Sequence, residues 1–466
     1  MKRILIQNGL LVDTEWTRHA DILVEGSKIV HIANKIEAHD VPEGTEIVHA
    51  EGMCILPGLI DAHTHYHLVS RGTVTADSFA EGSKCAAYGG VTCVVDFADD
   101  DKKGNLLGCT EARISAMQEG MAIDFSLHQG VYSYREGIGG ELEKLKKGGV
   151  RVIKIFTTYR NVGYLVEKRD ELKEIFAQCK RLDMLVSVHC EDDGLIEKIN
   201  KEYTGPYTPS AHADLRPSEA EAEGIRFVGE IAGELKMPLY VVHLSSKAGL
   251  EQVRELRGKG VRIIVETTPH YLFLNRSKLE GVQGSLYVMT PPLRTTEDNE
   301  ALQEALLNGE IQVVATDHCS FTKEQKLASS DCRTIYPGIP GSEEMLPLLN
   351  TFAMNSGRIG LQQVVNLLST GPAKAFGLYP KKGALRVGSD ADLVIFDSDE
   401  AWTLSSETTH SASGYTPYEG FAVVGKAVMT YLRGRLIMGD GIYLGIEGNG
   451  EFVKQGSPGR GKTVMH

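Results

Sequence analysis

The sequence lacks a long apolar run. No stretch approaches the ~18 apolar residues that a membrane-spanning helix needs. At the N-terminus, Met1-Lys-Arg-Ile-Leu-Ile-Gln-Asn-Gly9 carries a basic pair, but its apolar run is broken at Gln7 and is too short for a secretory signal peptide. The sequence therefore predicts neither a membrane span nor a signal peptide.

Paired cysteines and basic clusters are also absent. The eight cysteines stand at positions 54, 85, 93, 109, 179, 190, 319 and 332, and no two form a Cys-x-x-Cys pair. This pattern favours reduced thiols in a cytoplasmic protein. The 49 Lys and Arg residues face 62 Asp and Glu, which gives a net charge of −13 without any basic block. Nucleic acid and anionic membranes are therefore not expected partners.

The sequence does contain a repeated alternation of strands and helices. Its 466 residues exceed the ~250–300 at which a single core stops growing. Between residues 54 and 318, eight apolar runs recur, most of them separated by helix-compatible stretches. Eight buried parallel strands with helical crossovers predict a (β/α)8 barrel. The predicted strands are Cys54–Ile60, Val91–Phe97, Ala122–His128, Arg151–Phe156, Met184–His189, Leu239–His243, Arg262–Thr267 and Ile311–Asp317.

The two ends of the chain show another pattern. Short alternating strands with turn signals occupy residues 2–53 and 383–440, which indicates one small β-sandwich assembled from both ends. The predicted domains are a β-sandwich with a C-terminal tail, from residues 1–56 and 382–466, and a catalytic barrel from residues 57–381. The tail after Gly448 is rich in glycine and proline, with Gly-Ser-Pro-Gly-Arg-Gly at 456–461, and is expected to be extended.

Ligand-type side chains recur at the predicted strand ends, where this fold class places its chemistry. Five of these ends carry, in order, His63 and His65, Lys154, His189, His243 and Asp317. His63 and His65 stand two apart in an extended segment, so both imidazoles can face one metal ion. A surface turn explains such a pair equally well, and a core position explains a single histidine better. The agreement of five strand ends favours a metal site.

Lys154 and Asp317 each have two interpretations. Lys154 lies inside Val-Ile-Lys-Ile-Phe, where burial disfavours a charged ammonium. An edge strand would expose it, but its bulky apolar neighbours argue against exposure, and a buried lysine must be neutralised or modified. Asp317 suits a helix N-cap, or a metal ligand and general base. His128 and His318 receive no role beyond support of the structure.

Longer segments extend this pattern over almost the whole chain. They are PGLIDAHTH (57–65), GTVTADSF (72–79), AAYGGVTCVVDF (86–97), KIFTTY (154–159), RPSEAEAEGI (216–225), VVHLSS (241–246), ETTPHYL (266–272), MTPPLR (289–294), VVATDH (313–318), GSDADLVIFD (388–397) and YTPYEGF (415–421). Together with the order H-x-H, Lys, His, His, Asp, these segments resemble the dihydropyrimidinase/hydantoinase branch of the binuclear-metal amidohydrolase superfamily.

The resemblance implies a ligand set for two divalent metal ions. His63, His65 and Asp317 would hold one ion, and His189 and His243 the other. Lys154 would be carboxylated by carbon dioxide to N6-carboxylysine, whose carbamate bridges both ions. Zinc is the usual metal and suits imidazole and oxygen ligands, although manganese or cobalt could replace it.

The reaction that the resemblance implies is the hydrolytic opening of a cyclic amide. A dihydropyrimidine or 5-substituted hydantoin would become an N-carbamoyl amino acid, with an activated hydroxide supplied by the metals. Asp317 would act as general base and return the proton to the leaving nitrogen. Tyr159 would donate a hydrogen bond to the developing oxyanion, although a core tyrosine is an alternative interpretation.

Two substrate-binding positions depart from the family pattern. Thr290 replaces the usual serine before Pro-Pro-Leu-Arg and keeps a hydroxyl. Tyr336-Pro337-Gly338 stands where the family has Asn-Gly, whose asparagine contacts the substrate through its main chain, and proline has no N–H to donate. Either the alignment slips by one residue or one substrate hydrogen bond is absent. The exact ring and the preferred enantiomer therefore stay open.

Other assignments compete with this one. The segment GIPGSEEMLPLL (338–349) partly resembles dihydroorotases in sequence. Those enzymes, however, place an arginine two residues after H-x-H, where this chain has His67. Allantoinases usually have Glu-Pro-Gly-Arg where this chain has Val-Ser-Arg-Gly (69–72). A non-catalytic scaffold is disfavoured because all six metal positions are intact. Hydantoinase-like enzymes are commonly tetramers, so a homotetramer is expected, with the tail as a docking element.

Overall fold

The computed structural model describes residues 2–458, which alternate strands and helices in the middle and are mostly strand at both ends. No helix in this range is both long and apolar enough to cross a membrane. The strands are β1 Arg3–Val12, β2 Thr17–Glu25, β3 Lys28–Ala33, β4 Glu46–His49, β5 Cys54–Pro57, β6 Leu59–Asp61, β7 Val69–Ser70, β8 Thr73–Val74, β9 Val91–Ala98, β10 Asp124–Gly130, β11 Val152–Phe156, β12 Leu185–His189, β13 Leu239–Val241, β14 Ile263–Thr267, β15 Val313–Val314, β16 Leu393–Thr403, β17 Ala422–Leu432, β18 Arg435–Gly439 and β19 Ile442–Tyr443.

Most of the helices follow barrel strands and cover the outside of the barrel. They are α1 Phe79–Tyr88, α2 Leu106–Gly120, α3 Ile138–Gly148, α4 Arg169–Arg181, α5 Asp193–Glu202, α6 Ala211–Leu215, α7 Ser218–Leu235, α8 Lys247–Gly258, α9 Pro269–Phe273, α10 Thr296–Leu307, α11 Lys323–Leu327, α12 Met345–Ser356, α13 Leu361–Val365 and α14 Gly371–Ala375. A π-helical stretch, Asn366–Thr370, joins α13 to α14, and short 3₁₀ turns occupy Arg160–Val162, Arg276–Leu279 and Gly284–Tyr287.

Eight parallel strands form the predicted barrel. They pair in the order β6, β9, β10, β11, β12, β13, β14 and β15. The ring closes at the strand ends, where Thr64 forms a parallel bridge with His318 and the His65 N–H donates to the His318 carbonyl at 2.8 Å. The (β/α)8 prediction is confirmed, and the C-terminal ends of all the strands meet at one rim.

The first predicted strand is wrong in one respect, because the structure divides Cys54–Ile60 at Gly58. Its first half is β5, which pairs with β1 and β16, and only β6 pairs with β9 in the barrel. A Cβ on Gly58 would lie 2.2 Å from Thr92 Oγ1 and 2.7 Å from Asp392 Cβ. Only glycine allows the chain to pass so closely between the two sheets.

Strands from both chain ends form one nine-stranded mixed sheet. Its order is β19, β18, β17, β16, β5, β1, β2 and β3, and β4 pairs with β1 beside this path. The antiparallel pair β16–β5 joins the C-terminal strands to the N-terminal ones. Buried apolar side chains from both ends, including Ile4, Ile22, Ile55 and Leu393, form one cluster. The prediction of a small β domain built from both ends is confirmed.

The C-terminal segment returns to the barrel. Phe452 forms a parallel bridge with Phe125 near the start of β10, and the Gln455 side-chain amide donates to Ser126 Oγ at 3.1 Å. The tail after Gly448, which the sequence predicts to be extended, lies partly outside the described residues, which end at 458. All eight cysteines are free thiols.

Candidate metal centre

His63, His65 and Asp317 lie together on the C-terminal rim of the barrel. The Nε2 atoms of His63 and His65 lie 3.3 and 3.2 Å from Asp317 Oδ1. Burial lowers the pKa of His63 well below its usual value, so this imidazole is neutral. Burial would raise the pKa of Asp317, but His63 and His65 outweigh it and hold this pKa far below its usual range. A neutral imidazole and an ionised carboxylate are the donors that a zinc-type ion prefers.

His189 and His243 form a second group at neighbouring strand ends. His189 Nδ1 lies 3.0 Å from His243 Nε2. Burial lowers the pKa of both residues, so both imidazoles are neutral and can offer a lone pair. The other ring nitrogen of His243, Nδ1, is buried without a hydrogen-bond partner in the described chain. This pair offers a place for a second ion, and His243 also lies near His63, with 5.4 Å between ring centroids.

Lys154 lies between the two groups of ligand-type residues. Its Nζ is 5.3 Å from the Phe97 ring centroid and 5.2 Å from that of Phe156. Phe97 stacks on His65 at 4.8 Å, and Phe156 packs against His189 at 5.6 Å. Lys154 is 2% exposed, and its Nζ has no hydrogen-bond or ion-pair partner within residues 2–458. The predicted alternative of a solvent-facing lysine is therefore wrong.

Three residues of the site have a left-handed backbone. The φ angles are 69° at Tyr159, 37° at His243 and 51° at Asp317. This region costs a non-glycine residue about 1–3 kcal/mol, and residues held in it cluster at functional sites. The surrounding structure therefore holds these three side chains in orientations that an unstrained backbone would not give.

Two buried carboxylates, neither of which is predicted from the sequence, orient the histidines. Glu266 Oε1 lies 2.8 Å from His63 Nδ1, and Glu191 Oε2 lies 2.7 Å from His189 Nε2. Each contact occupies one ring nitrogen of the histidine, so the opposite ring nitrogen points toward the other ligand-type residues. Carboxylates in this position set the tautomer of a ligating imidazole and raise its basicity. The sequence does contain a signal for Glu266. Like Lys154, it is a charged residue within an apolar strand, in this case β14.

Tyr159 and Thr290 lie together beside the second group. The Tyr159 ring centroid is 5.1 Å from that of His189, and the phenol is hydrogen-bonded to Thr290. Burial raises the pKa of Tyr159, so the hydroxyl keeps the proton that a donor needs. His212 was not predicted, and its Nε2 lies 2.9 Å from the Met289 carbonyl oxygen and 3.2 Å from Thr290 Oγ1. It supports the segment that carries the threonine.

Pro337 can offer a carbonyl oxygen but no N–H. The next residue does not compensate, because the Gly338 N–H donates to the Val288 carbonyl at 3.0 Å. Among the described residues, the Pro337 carbonyl oxygen lies 4.0 Å from the Cys319 Sγ. Ile339, two residues after Pro337, forms a parallel bridge with His318, so this loop lies beside the segment that carries Asp317.

The two histidines without a predicted role remain outside the ligand groups. His318 Nε2 contacts Asp77 Oδ2 at 2.8 Å, while its Nδ1 accepts the backbone N–H of Gly341 at 3.1 Å. Both ring nitrogens of His318 therefore form hydrogen bonds that hold neighbouring loops in place. His128 stacks on Phe97 at 4.9 Å.

A cluster of three aspartates lies at the opposite end of the barrel, where β10 begins. Asp124, Asp390 and Asp392 are all buried and close enough to share a cation. Lys382 supplies that cation, with Nζ at 2.5, 3.0 and 2.6 Å from the three carboxylates in this order. Because Lys382 pairs with all three carboxylates, the cluster is a buried ion-pair network within the chain. The C-terminal rim therefore remains the candidate metal centre.

Known proteins match this chain over nearly its full length. The profile of the Amidohydrolase family matches residues 54–437. The D-hydantoinases of Ralstonia pickettii and Geobacillus stearothermophilus are 35% and 36% identical over 459 and 462 residues, which cover 97% and 98% of this chain and 98% and 97% of theirs. The crystal structure of dihydropyrimidinase from Brevibacillus agri superposes with a TM-score of 0.94 at 34% identity, covering 98% of this chain and 100% of that one.

Proposed function

Since the chain belongs to the amidohydrolase family, in its hydantoinase branch, and is a cyclic amidohydrolase, we propose that it opens a dihydropyrimidine or 5-substituted hydantoin ring to an N-carbamoyl amino acid. The family implies a site for two divalent metal ions. The observation that carries the proposal is the convergence of ligand-type side chains from five strand ends on one rim. The same convergence disfavours a non-catalytic scaffold.

We assign His63, His65 and Asp317 to one ion, and His189 and His243 to the other. Lys154 lies between the groups, and burial lowers its pKa to about 8, so part of its amine is neutral near pH 7. A neutral amine attacks carbon dioxide and releases a proton, which gives a carbamate anion in place of an unpaired cation. This supports N6-carboxylysine as the bridging ligand. The imidazole and oxygen donors suit zinc, and manganese or cobalt could replace it.

The chain's own residues supply proton transfer and charge stabilisation. When bound, the ions provide an activated water nucleophile and polarise the ring carbonyl. Asp317 accepts the proton that the water loses as its oxygen bonds to the carbonyl carbon, then delivers it to the ring nitrogen as the C–N bond breaks. The Tyr159 hydroxyl donates to the carbonyl oxygen while that oxygen carries negative charge. The product is one molecule, an N-carbamoyl amino acid, which carries both the new carboxylate and the carbamoyl-substituted amine.

Tyr159→Phe is expected to lower kcat by about 10²–10³-fold, because loss of one oxyanion donor costs this much. KM should change little, since the hydrogen bond strengthens only as charge develops. Steady-state kinetics of metal-loaded enzyme measure both constants. Tyr164→Phe, on the same loop, is the matched control and should keep wild-type kinetics. A kcat within threefold of wild type in Tyr159→Phe would place this tyrosine in a purely structural role.

The substrate contacts that we propose are the Thr290 hydroxyl and the Pro337 carbonyl. Both groups lie on loops at the rim, and an oxygen acceptor at Pro337 suits a ring N–H. Dihydrouracil and 5-phenylhydantoin, each tested with metal-loaded and chelator-stripped enzyme, separate the two ring classes. Metal-dependent opening of either ring is the expected result. Two bound metals without turnover of either ring would contradict the proposed substrate class and favour a different cyclic ureide, such as that of an allantoinase or dihydroorotase.

We also propose that the chain assembles as a homotetramer. An apolar stripe supports this proposal: Ile442, Leu444 and Ile446 alternate along the edge strand β19 and its continuation, and are 60%, 46% and 53% exposed. Burial of such a stripe against a second copy would stabilise association. Light scattering of the full-length chain should give four chain masses. A monomeric mass at micromolar concentration is the outcome that removes the proposal.

A further inference from the structure

Lys326 is a fully buried lysine on α11, outside the metal ligands. Its exposed fraction is 0%. Its Nζ donates three hydrogen bonds, to the carbonyl oxygens of Val288 at 2.6 Å, Tyr336 at 2.7 Å and Gly338 at 2.9 Å. The three N–H donors of one ammonium are thus matched to three acceptors, and no carboxylate pairs with this lysine in the described chain.

The three carbonyls belong to the two segments that carry the proposed substrate contacts. Val288 precedes Thr290 by two residues, and Tyr336 and Gly338 stand on either side of Pro337. Lys326 therefore joins both walls of the substrate site at one point. It binds the carbonyls on both sides of Pro337 and leaves the Pro337 carbonyl itself, which faces the Cys319 thiol.

Burial of a lysine here is costly. It lowers the pKa of Lys326, while the three carbonyl acceptors favour the ammonium form, the only form with three N–H donors. An apolar side chain would fill the same volume without desolvating a charge. Such a lysine is consistent with a requirement for three convergent donors that an apolar residue cannot meet.

We propose that Lys326 is a positioning residue, which fixes the carbonyls of Tyr336 and Gly338 so that the carbonyl oxygen of Pro337 points at the substrate and accepts a hydrogen bond from a ring N–H. The inference rests on the proposed function, because it assumes a cyclic amide at the rim. It also explains how a proline serves at a position where the main chain must contact the substrate: the contact uses the acceptor, and proline keeps its acceptor.

Lys326→Met removes the donors and keeps the volume of the side chain. We expect KM for dihydrouracil to rise about tenfold, the effect of one lost hydrogen bond, while kcat and the content of bound metal stay at wild-type values. Lys326→Gln keeps two N–H donors and should give an intermediate KM. Lys323→Met changes an exposed lysine on the same helix and serves as the matched control, with unchanged KM.

A purely structural role for Lys326 predicts a different result. Unchanged KM in Lys326→Met, or a fall in kcat or metal content at unchanged KM, would overturn the inference. If Lys326→Met fails to fold, the KM of Lys326→Gln decides in the same way. Calorimetric titration of dihydrouracil and of 5-phenylhydantoin into chelator-stripped enzyme gives Kd without turnover. Binding to stripped wild type without turnover of either ring by metal-loaded wild type contradicts the proposed function alone, and equal Kd in wild type and variant overturns this inference alone. No binding of either ring by wild type overturns both.

Discussion

The Lys154→Ala variant is expected to bind neither metal ion and to have a kcat at least about 10³-fold below that of wild type, while it remains folded. The carbamate is the ligand that we assign to both ions, so its loss weakens both positions. Without the ions, water activation and carbonyl polarisation are lost together, which exceeds the ~10²–10³-fold cost of one electrostatic donor. Metal analysis by mass spectrometry and steady-state kinetics measure the two effects.

The fold of this variant should survive, because among the described residues Lys154 has no hydrogen-bond or ion-pair partner that its removal would leave unpaired. Thermal unfolding should show a melting temperature equal to or above that of the metal-free wild type. Lys144→Ala, at an exposed position of α3, is the control and should keep metal and activity. Reloading of stripped wild type with zinc should require bicarbonate, since the carbamate forms from carbon dioxide. Full activity of Lys154→Ala would refute the bridging role.

The positions of the ligand-type residues could be predicted because two simple rules combine. Apolar runs mark buried strands, and parallel strands place their C-terminal ends on one rim. His63, Lys154 and His189 are far apart in the chain but lie within or just after parallel strands of one sheet, β6, β11 and β12. Their proximity therefore follows from the fold, without any knowledge of individual contacts. The structure places them as these rules predict, with Lys154 between the two histidine groups.

The division of Cys54–Ile60 between two sheets could not be predicted in the same way. Pro57-Gly58 interrupts its apolar run and marks a break or a bulge, but a strand shared by two sheets otherwise has the same periodicity as one long strand. The deciding contact is the approach of Gly58 to Thr92 and Asp392, and Asp392 lies more than 300 positions away along the chain. The local sequence therefore marks a break but does not show that the two halves join different sheets.

The residues that hold the site in shape were missed for a related reason. Glu266 acts on His63 across 203 positions, and Lys326 acts on carbonyl groups, which every residue carries. A sequence shows side-chain types but not the direction of main-chain groups. The left-handed φ of Asp317 has the same origin, since tertiary contacts impose it. Proposed ligands could be found from residue type. Glu266 could be noticed as a charged residue within an apolar strand, but the histidine that it contacts, and the carbonyls that Lys326 contacts, required coordinates.

Asp317→Asn is expected to lower kcat by about 10³–10⁴-fold with little change in KM. The amide keeps the shape of the carboxylate but cannot accept a proton, and loss of a general base costs ~10²–10⁴-fold. It is also a weaker ligand, so the ion at His63 and His65 should bind less tightly, while the ion at His189 is retained. Kinetics and metal content, measured at low and at saturating zinc, follow the two effects separately.

The zinc series distinguishes the two roles of Asp317. At saturating zinc both ions should bind again, yet kcat should stay low, because occupancy does not restore the proton acceptor. Recovery of kcat with zinc would show that Asp317 serves only as a ligand and that another group takes the proton. Asp101→Asn, an exposed acid on the loop after β9, should match wild type throughout. A loss confined to Asp317→Asn then reflects the missing carboxylate at the rim and not the lost negative charge of the chain.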